Sequence, residues 1–133
     1  MVGTIDALGR KTGNTCDSLG NVIQSADPEG NVTRFEYDPI LSRLTKLTDA
    51  LGNISLFAYD AKGNLTETAD PLGNKTTLAY NAFGQPINMT DSLGNTTTFE
   101  YDFFGNLTAT IEKWSGKSNN FFVFYYVFKF SRS

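Results

Sequence analysis

With 133 residues the chain is sized for one small domain. A 40% hydrophobic and 19% charged composition suits a folded chain, and 14 acidic against 11 basic residues leave a net charge of −3, the wrong sign for a nucleic-acid-binding module. There is no histidine and only one cysteine, Cys16, so the commonest general base and metal ligand, every Ser-His or Cys-His pair, internal disulfides and cysteine-built zinc sites are all excluded.

In chain order the dominant signal is a repeat. Asp or Asn followed three residues later by Gly begins at Asp6, Asp17, Asp27, Asp49, Asp60, Asp70, Asn81, Asp91 and Asp102, and Asp38 stands where one more member belongs but lacks the Gly. Nine of the 12 glycines occupy that fourth position. The ten starts are 11, 10, 11, 11, 11, 10, 11, 10 and 11 residues apart, alternating between two kinds of arm with a full period of about 21 residues. One arm is DALGNISLFAYD at Asp49 to Asp60 and DSLGNTTTFEYD at Asp91 to Asp102; the other is YDAKGNLTETAD at Tyr59 to Asp70.

Each arm reads as a turn followed by a strand. Asp first and Gly fourth are type I turn preferences, and Pro28 and Pro71 sit second, where a fixed φ is already correct. The strands alternate with period two: Thr33, Phe35 and Tyr37 share a face, as do Ser55, Phe57 and Tyr59, then Thr76, Leu78 and Tyr80, then Thr97, Phe99 and Tyr101. Arg34, Glu36, Ile54, Leu56, Lys75, Thr77, Thr98 and Glu100 fall on the opposite face. Cys16 falls where the preceding tyrosine belongs, so the thiol is read as a repeat position without its ring. Strands of about six residues joined by tight turns form an antiparallel meander. The apolar turn residues Leu8, Leu19, Leu51, Leu72 and Leu93 are expected to pack on their neighbours one repeat away, with Phe83, Phe103 and Phe104 doing the same. The extra residue of the one longer repeat lies in the turn Asp38 to Arg43, DPILSR.

The alternation of GNxTxFxYD with YDxxGNL, with the variant YDPILSRLTKLTDALGN at Tyr37 to Asn53, resembles the Rhs or YD-repeat family over roughly Ile5 to Glu112. The resemblance implies an all-β fold: tandem antiparallel β-hairpins in a curved, open sheet, a segment of a hollow shell. In bacterial Rhs proteins such a shell encloses a C-terminal toxin; in other relatives the repeats support adhesion at cell surfaces. The implied role is a structural, non-enzymatic segment whose partners are the remaining repeats or an enclosed polypeptide. The alternative is a cell-surface carbohydrate- or protein-binding module. The resemblance implies a secreted or cell-surface setting. The mid-repeat start and the missing signal peptide lead us to expect a fragment of a longer reading frame. The DPxGL-type junction that resembles an autoproteolytic site is absent; Asp27 to Asn31 and Asp70 to Asn74 come near but lie inside ordinary repeats. No residue is therefore assigned a catalytic, cofactor-binding or metal-binding role, and no cofactor is expected.

The chain divides into a repeat array, 1–112, and a non-repeat aromatic tail, 113–133. In the tail, FFVFYYVFKF at Phe121 to Phe130 is about half the length of a membrane-spanning helix. It reads as an irregular further strand, with Gly116 to Tyr125 spaced at nine residues where the repeat has seven, and as an aggregation-prone segment. A membrane partner is not expected; self-association is. Seven Asn-x-Ser/Thr sequons, at Asn31, Asn53, Asn64, Asn74, Asn88, Asn95 and Asn106, follow from the repeat itself. The aspartates are read as turn formers and not as calcium ligands.

Overall fold

The structure is a computed structural model, in which residues 2–5, 7–9, 11–116 and 123–127 are described. They form twelve strands: β1 (Val2–Ile5), β2 (Lys11–Cys16), β3 (Val22–Ala26), β4 (Val32–Tyr37), β5 (Leu44–Thr48), β6 (Ile54–Tyr59), β7 (Leu65–Ala69), β8 (Lys75–Tyr80), β9 (Pro86–Thr90), β10 (Thr96–Tyr101), β11 (Leu107–Lys113) and β12 (Val123–Val127). The strands lie in one open sheet in chain order, each antiparallel to its neighbours in sequence. No helix occurs among the described residues. The meander expected from the repeat is what forms.

The hairpins explain the spacing of Asp and Gly. At 70–74 the Asp70 amide donates to the Asn74 carbonyl and the Gly73 amide donates back to Asp70, both at 3.0 Å. This pattern is a type I turn followed by a residue in the left-handed region, the commonest three-residue hairpin loop. The nine repeat glycines all adopt positive φ; that of Gly73 is 83°. The longer turn at 38–43 is the exception, and there Ser42 takes the left-handed place with φ of 49° while its amide donates to the Asp38 carbonyl. The insertion is confined to the loop, because an extra residue in a strand would turn every later side chain to the wrong face.

The two faces are as the alternation indicates. In β6 and β8 the residues Ser55, Phe57 and Tyr59, and Thr76, Leu78 and Tyr80, are half-buried, while those between them are exposed. Cys16 pairs with Val22 as Tyr37 pairs with Leu44, which places the thiol at a tyrosine position. The alternation fails in the returning strands. Tyr59 pairs with Leu65 and Ala58 with Glu67, so Thr66 is an extra residue, a β-bulge repeated at Ile23, Thr45, Ile87 and Thr108. It carries Leu44 and Leu47, three residues apart, onto one face.

A single layer has little interior. Among the described residues only Ala69 and Ala109 are buried, at 8% and 7% exposure, both on the face opposite the tyrosines. The expected stacking of the turn leucines does not occur. Leu19 is 70% exposed and Leu51 and Leu72 are 88% exposed, and Phe83, Phe103 and Phe104 are exposed as well. The reason is geometric: turns on one edge are separated by two strands, roughly 9.5 Å, too far for two leucine side chains to meet. Phe103 and Phe104 do touch, edge to face at 5.7 Å, but within one turn.

In the tail, β12 adds to β11 with Lys113 opposite Val123 and Ala109 opposite Val127. A further strand therefore forms, in a register different from the expected one: Val127 takes the place that Thr98 holds in β10, so Tyr125 does not fall at the tyrosine position. The rest of Phe121 to Phe130 lies outside the described residues. None of the helices needed to cross a membrane is found among the described residues.

Candidate functional site

Among the described residues the turn aspartates, and the strand tyrosines Tyr37, Tyr80 and Tyr101, are engaged in holding the repeat. In the 70–74 turn one carboxylate oxygen of Asp70 accepts the amides of Leu72 (2.9 Å) and Asn74 (2.8 Å), and the other accepts the Asn74 side-chain amide at 2.7 Å. The same clasp recurs in the turns starting at Asp17, Asp27, Asp49, Asp60, Asp91 and Asp102. In the turn at 81–85, Asn81 and Gln85 make a neutral version. The Asn partner was the part of the clasp not read from sequence; its signal was present in the recurring Gly-Asn dipeptide.

The clasp sets the electrostatics. In all seven turns the side-chain amide of the Asn four residues on, joined by backbone amides of the turn, holds the aspartate carboxyl below the ordinary carboxylate value. Hydrogen bonds to the charged form stabilise that form. A carboxylate with both oxygens occupied is a weak base and a poor metal ligand. Successive carboxylates on one edge also stand two strands apart, roughly 9.5 Å, beyond the reach of a shared cation. Among the described residues no cluster of three or more His, Cys, Asp or Glu is placed to hold a metal. Because the folded values are depressed, the clasps contribute stability that is complete above the unfolded value of about 3.9 and is lost as pH falls through the folded values. Thermal unfolding followed by circular dichroism should thus be nearly constant from about pH 7 to about pH 5 and fall steeply below about pH 4. A melting temperature unchanged down to about pH 2 contradicts the clasp's contribution.

The tyrosines bridge a gap that the bulges create. The β7–β8 ladder ends at Glu67 opposite Thr77, leaving the Leu65 carbonyl beyond it without a backbone partner on β8. Tyr80, three residues past Thr77, donates its hydroxyl to that carbonyl at 2.8 Å. Tyr37 does the same to Val22 at 2.9 Å and Tyr101 to Pro86 at 2.8 Å, each fifteen residues upstream. Tyr59, whose repeat carries the longer turn, makes no such bond among the described residues. Phenylalanine would fill the same space without closing the gap, which is why the position calls for a hydroxyl. Tyr80→Phe is expected to cost about 1 kcal/mol, since a lost hydrogen bond leaves a partly buried carbonyl unpaired. Tyr59→Phe should cost much less, and equal losses of melting temperature would contradict the bridge. The rings of Tyr37, Tyr80 and Tyr101 are half-buried with their hydroxyls engaged, an arrangement for packing and not for stacking on a sugar. Cys16 is a free, exposed thiol.

Neighbouring turns on one edge are also tied together. Lys62 donates to the Ala82 carbonyl at 3.1 Å, Gln85 to the Gly105 carbonyl at 2.9 Å, and the Ser115 amide to the Asn95 side chain at 2.9 Å, each across 20 residues. Ion pairs Lys46–Glu36 and Lys75–Glu67 link strands on the face opposite the tyrosines. Among the described residues these turn and strand contacts tie each hairpin to the next.

Comparison with known proteins agrees with this reading. The RHS Repeat family matches the chain in four overlapping runs, residues 17–54, 41–75, 59–93 and 80–116. Comparison with curated proteins yields no match. Among solved structures, TcdB2-TccC3 without its hypervariable C-terminal region is similar over 86% of this chain with TM-score 0.69 and 20% identity. The Photorhabdus luminescens Tc holotoxin pore is similar over 77% with TM-score 0.64 and 22% identity. The chain spans only 6% and 5% of the lengths of these two proteins. With its clasped turns, bridging tyrosines and 21-residue period all accounted for by one repeated unit, the chain belongs to the RHS repeat family.

Proposed function

We propose that the chain is a structural, non-enzymatic strip of shell wall that, together with further repeats, encloses or displays another polypeptide. The observation that carries this reading is the use of the polar groups: the aspartates close hairpins and the tyrosines join them, so the recurring polar side chains of the repeat are taken up in making an extended sheet. Residues 1–112 act as the array, and 113–133 extend it by one strand of non-repeat sequence. Similarity to Tc proteins supports a shell and leaves the nature of the enclosed polypeptide open. The adhesion alternative needs exposed ring faces on the strands, and no observation favours it.

The test has two steps. Sequencing the surrounding DNA should show open reading frame continuing the 21-residue period beside these repeats. Expressing that whole frame, followed by limited proteolysis, should leave the polypeptide that follows the repeats protected until the repeats themselves are cut. Digestion of that polypeptide at the rate seen without the repeats contradicts enclosure.

A further inference from the structure

Three of the four prolines follow a turn aspartate, in the bonds Asp27–Pro28, Asp38–Pro39 and Asp70–Pro71. Each bond opens a hairpin turn, and each aspartate carbonyl accepts a backbone amide at 3.0 Å, from Gly30, Ser42 and Gly73 respectively. The carboxylates differ. At Asp27 and Asp70 one oxygen takes two backbone amides, and the other takes the side-chain amide of Asn31 at 2.8 Å or of Asn74 at 2.7 Å. In the longer turn that Asn is replaced by Arg43, whose guanidinium lies 3.5 Å from the Cβ position of Gly63 in the next turn along the edge. One oxygen of Asp38 accepts the Ile40 and Leu41 amides at 2.9 and 2.7 Å, and no group among the described residues donates to the other. The ionisable groups around it are Arg43 in its own turn, and Tyr59 and Asp60, which line with it the cleft toward turn 60–64. Asp60, and Asp17 in the turn on the other side, are each clasped by their own Asn.

We propose that Asp38–Pro39 is an acid-cleavage site built into the chain, the one Asp-Pro bond whose carboxylate keeps an oxygen free to cut it. The free oxygen of Asp38 attacks the carbonyl carbon of the same residue and closes a five-membered cyclic anhydride. The C–N bond to Pro39 breaks, and the proline nitrogen leaves with a proton taken from the acidic solvent. Water then opens the anhydride and restores two carboxyl groups, one of them the new chain end. Nucleophile and target are joined in one residue, so no second group is needed. Proline suits the step because its tertiary amide nitrogen takes a proton more readily than a secondary amide. A clasped carboxylate must first give up its Asn bond, and hydrogen bonds to the charged oxygens weaken it as a nucleophile. Exposure alone would choose differently: Asp70 and Pro71 are both exposed, whereas Asp38 is half-buried. Scission divides the strip at its longer turn into 1–38 and 39–133, joined afterwards by the β4–β5 ladder, whatever the strip encloses.

Mass spectrometry of the full chain at about pH 4.5, with circular dichroism confirming the folded sheet, reads all three cuts in one sample. Fragments 1–38 and 39–133 should accumulate roughly tenfold faster or more than those cut after Asp27 or Asp70, the factor set by breaking one hydrogen bond to a charged oxygen. In guanidinium chloride at the same pH the three rates should become alike. Asn74→Ala, which frees one oxygen of Asp70, should raise the cut after Asp70 to the Asp38 rate. Asp38→Asn keeps an acceptor for the turn amides and cannot form the anhydride, so the cut after residue 38 should vanish. Equal rates at the three bonds of the folded chain overturn the proposal, as does a preference for 38–39 that survives unfolding. A folded chain left whole while the unfolded chain is cut, or a folded Asn74→Ala chain cut no faster after Asp70, overturns it as well.

Discussion

Gly73→Val should lower stability by about 1–3 kcal/mol, while Lys75→Val, two residues away, should change it by less than about 1 kcal/mol. A Cβ at position 73 has open space around it, so the cost is chiefly that of holding a β-branched residue at φ of 83°. Straightening the backbone to relieve it breaks the Gly73 to Asp70 bond and shifts the Asn74 amide off the Asp70 carboxylate. Lys75→Val instead removes an exposed ion pair with Glu67 and puts a good strand former into β8. Melting curves of the two variants under identical conditions decide the matter. Equal melting temperatures would contradict the turn assignment.

The second large effect concerns association. Among the described residues β1 and β12 are the outermost strands of the sheet, and the outer backbone groups of such edge strands template pairing with other chains. Among the described residues the tyrosine face has no opposing layer and two buried alanines are all the interior there is, and a net charge of −3 gives modest repulsion. Size-exclusion chromatography with light scattering should therefore show oligomers well above 14.6 kDa at micromolar concentration, with a strand-dominated circular dichroism spectrum. Removing the aromatic tail should improve solubility. The cut belongs after Gly116, because Ser115 bonds the turn of Asn95 and the Leu93 carbonyl. A sharp monomer peak contradicts this expectation.

Much of this architecture is legible in the sequence because the repeat states each local rule many times over. The nine glycines at the fourth position are the nine glycines at positive φ, and Tyr37, Tyr59, Tyr80 and Tyr101 mark one face of β4, β6, β8 and β10. What escaped was non-local. The leucine at the third turn position looks like a core residue by type, yet the two-strand separation along an edge denies it a partner. The bulges hide because the returning strands break the period of two; Leu44 and Leu47, three apart on one face, were the available clue. The tyrosine hydroxyls could not be placed before the bulges were, since their acceptors are the carbonyls that the bulges leave beyond the ladder. The Asn side chains were concealed by a competing signal, their membership of glycosylation sequons, which the repeat generates as a by-product.

Among the described residues the chain is an open strip in which each hairpin is supported by its neighbours and two alanines are the whole interior. In such a one-dimensional array, local stability is set by adjacent units and fades toward the free ends. Amide hydrogen exchange of the full chain measures this residue by residue. The prediction is a graded profile, with the slowest exchange in β5 to β8 and progressively faster exchange toward β1 and β11. Uniform protection across all strands, lost in one cooperative transition, would contradict it and identify a self-contained module.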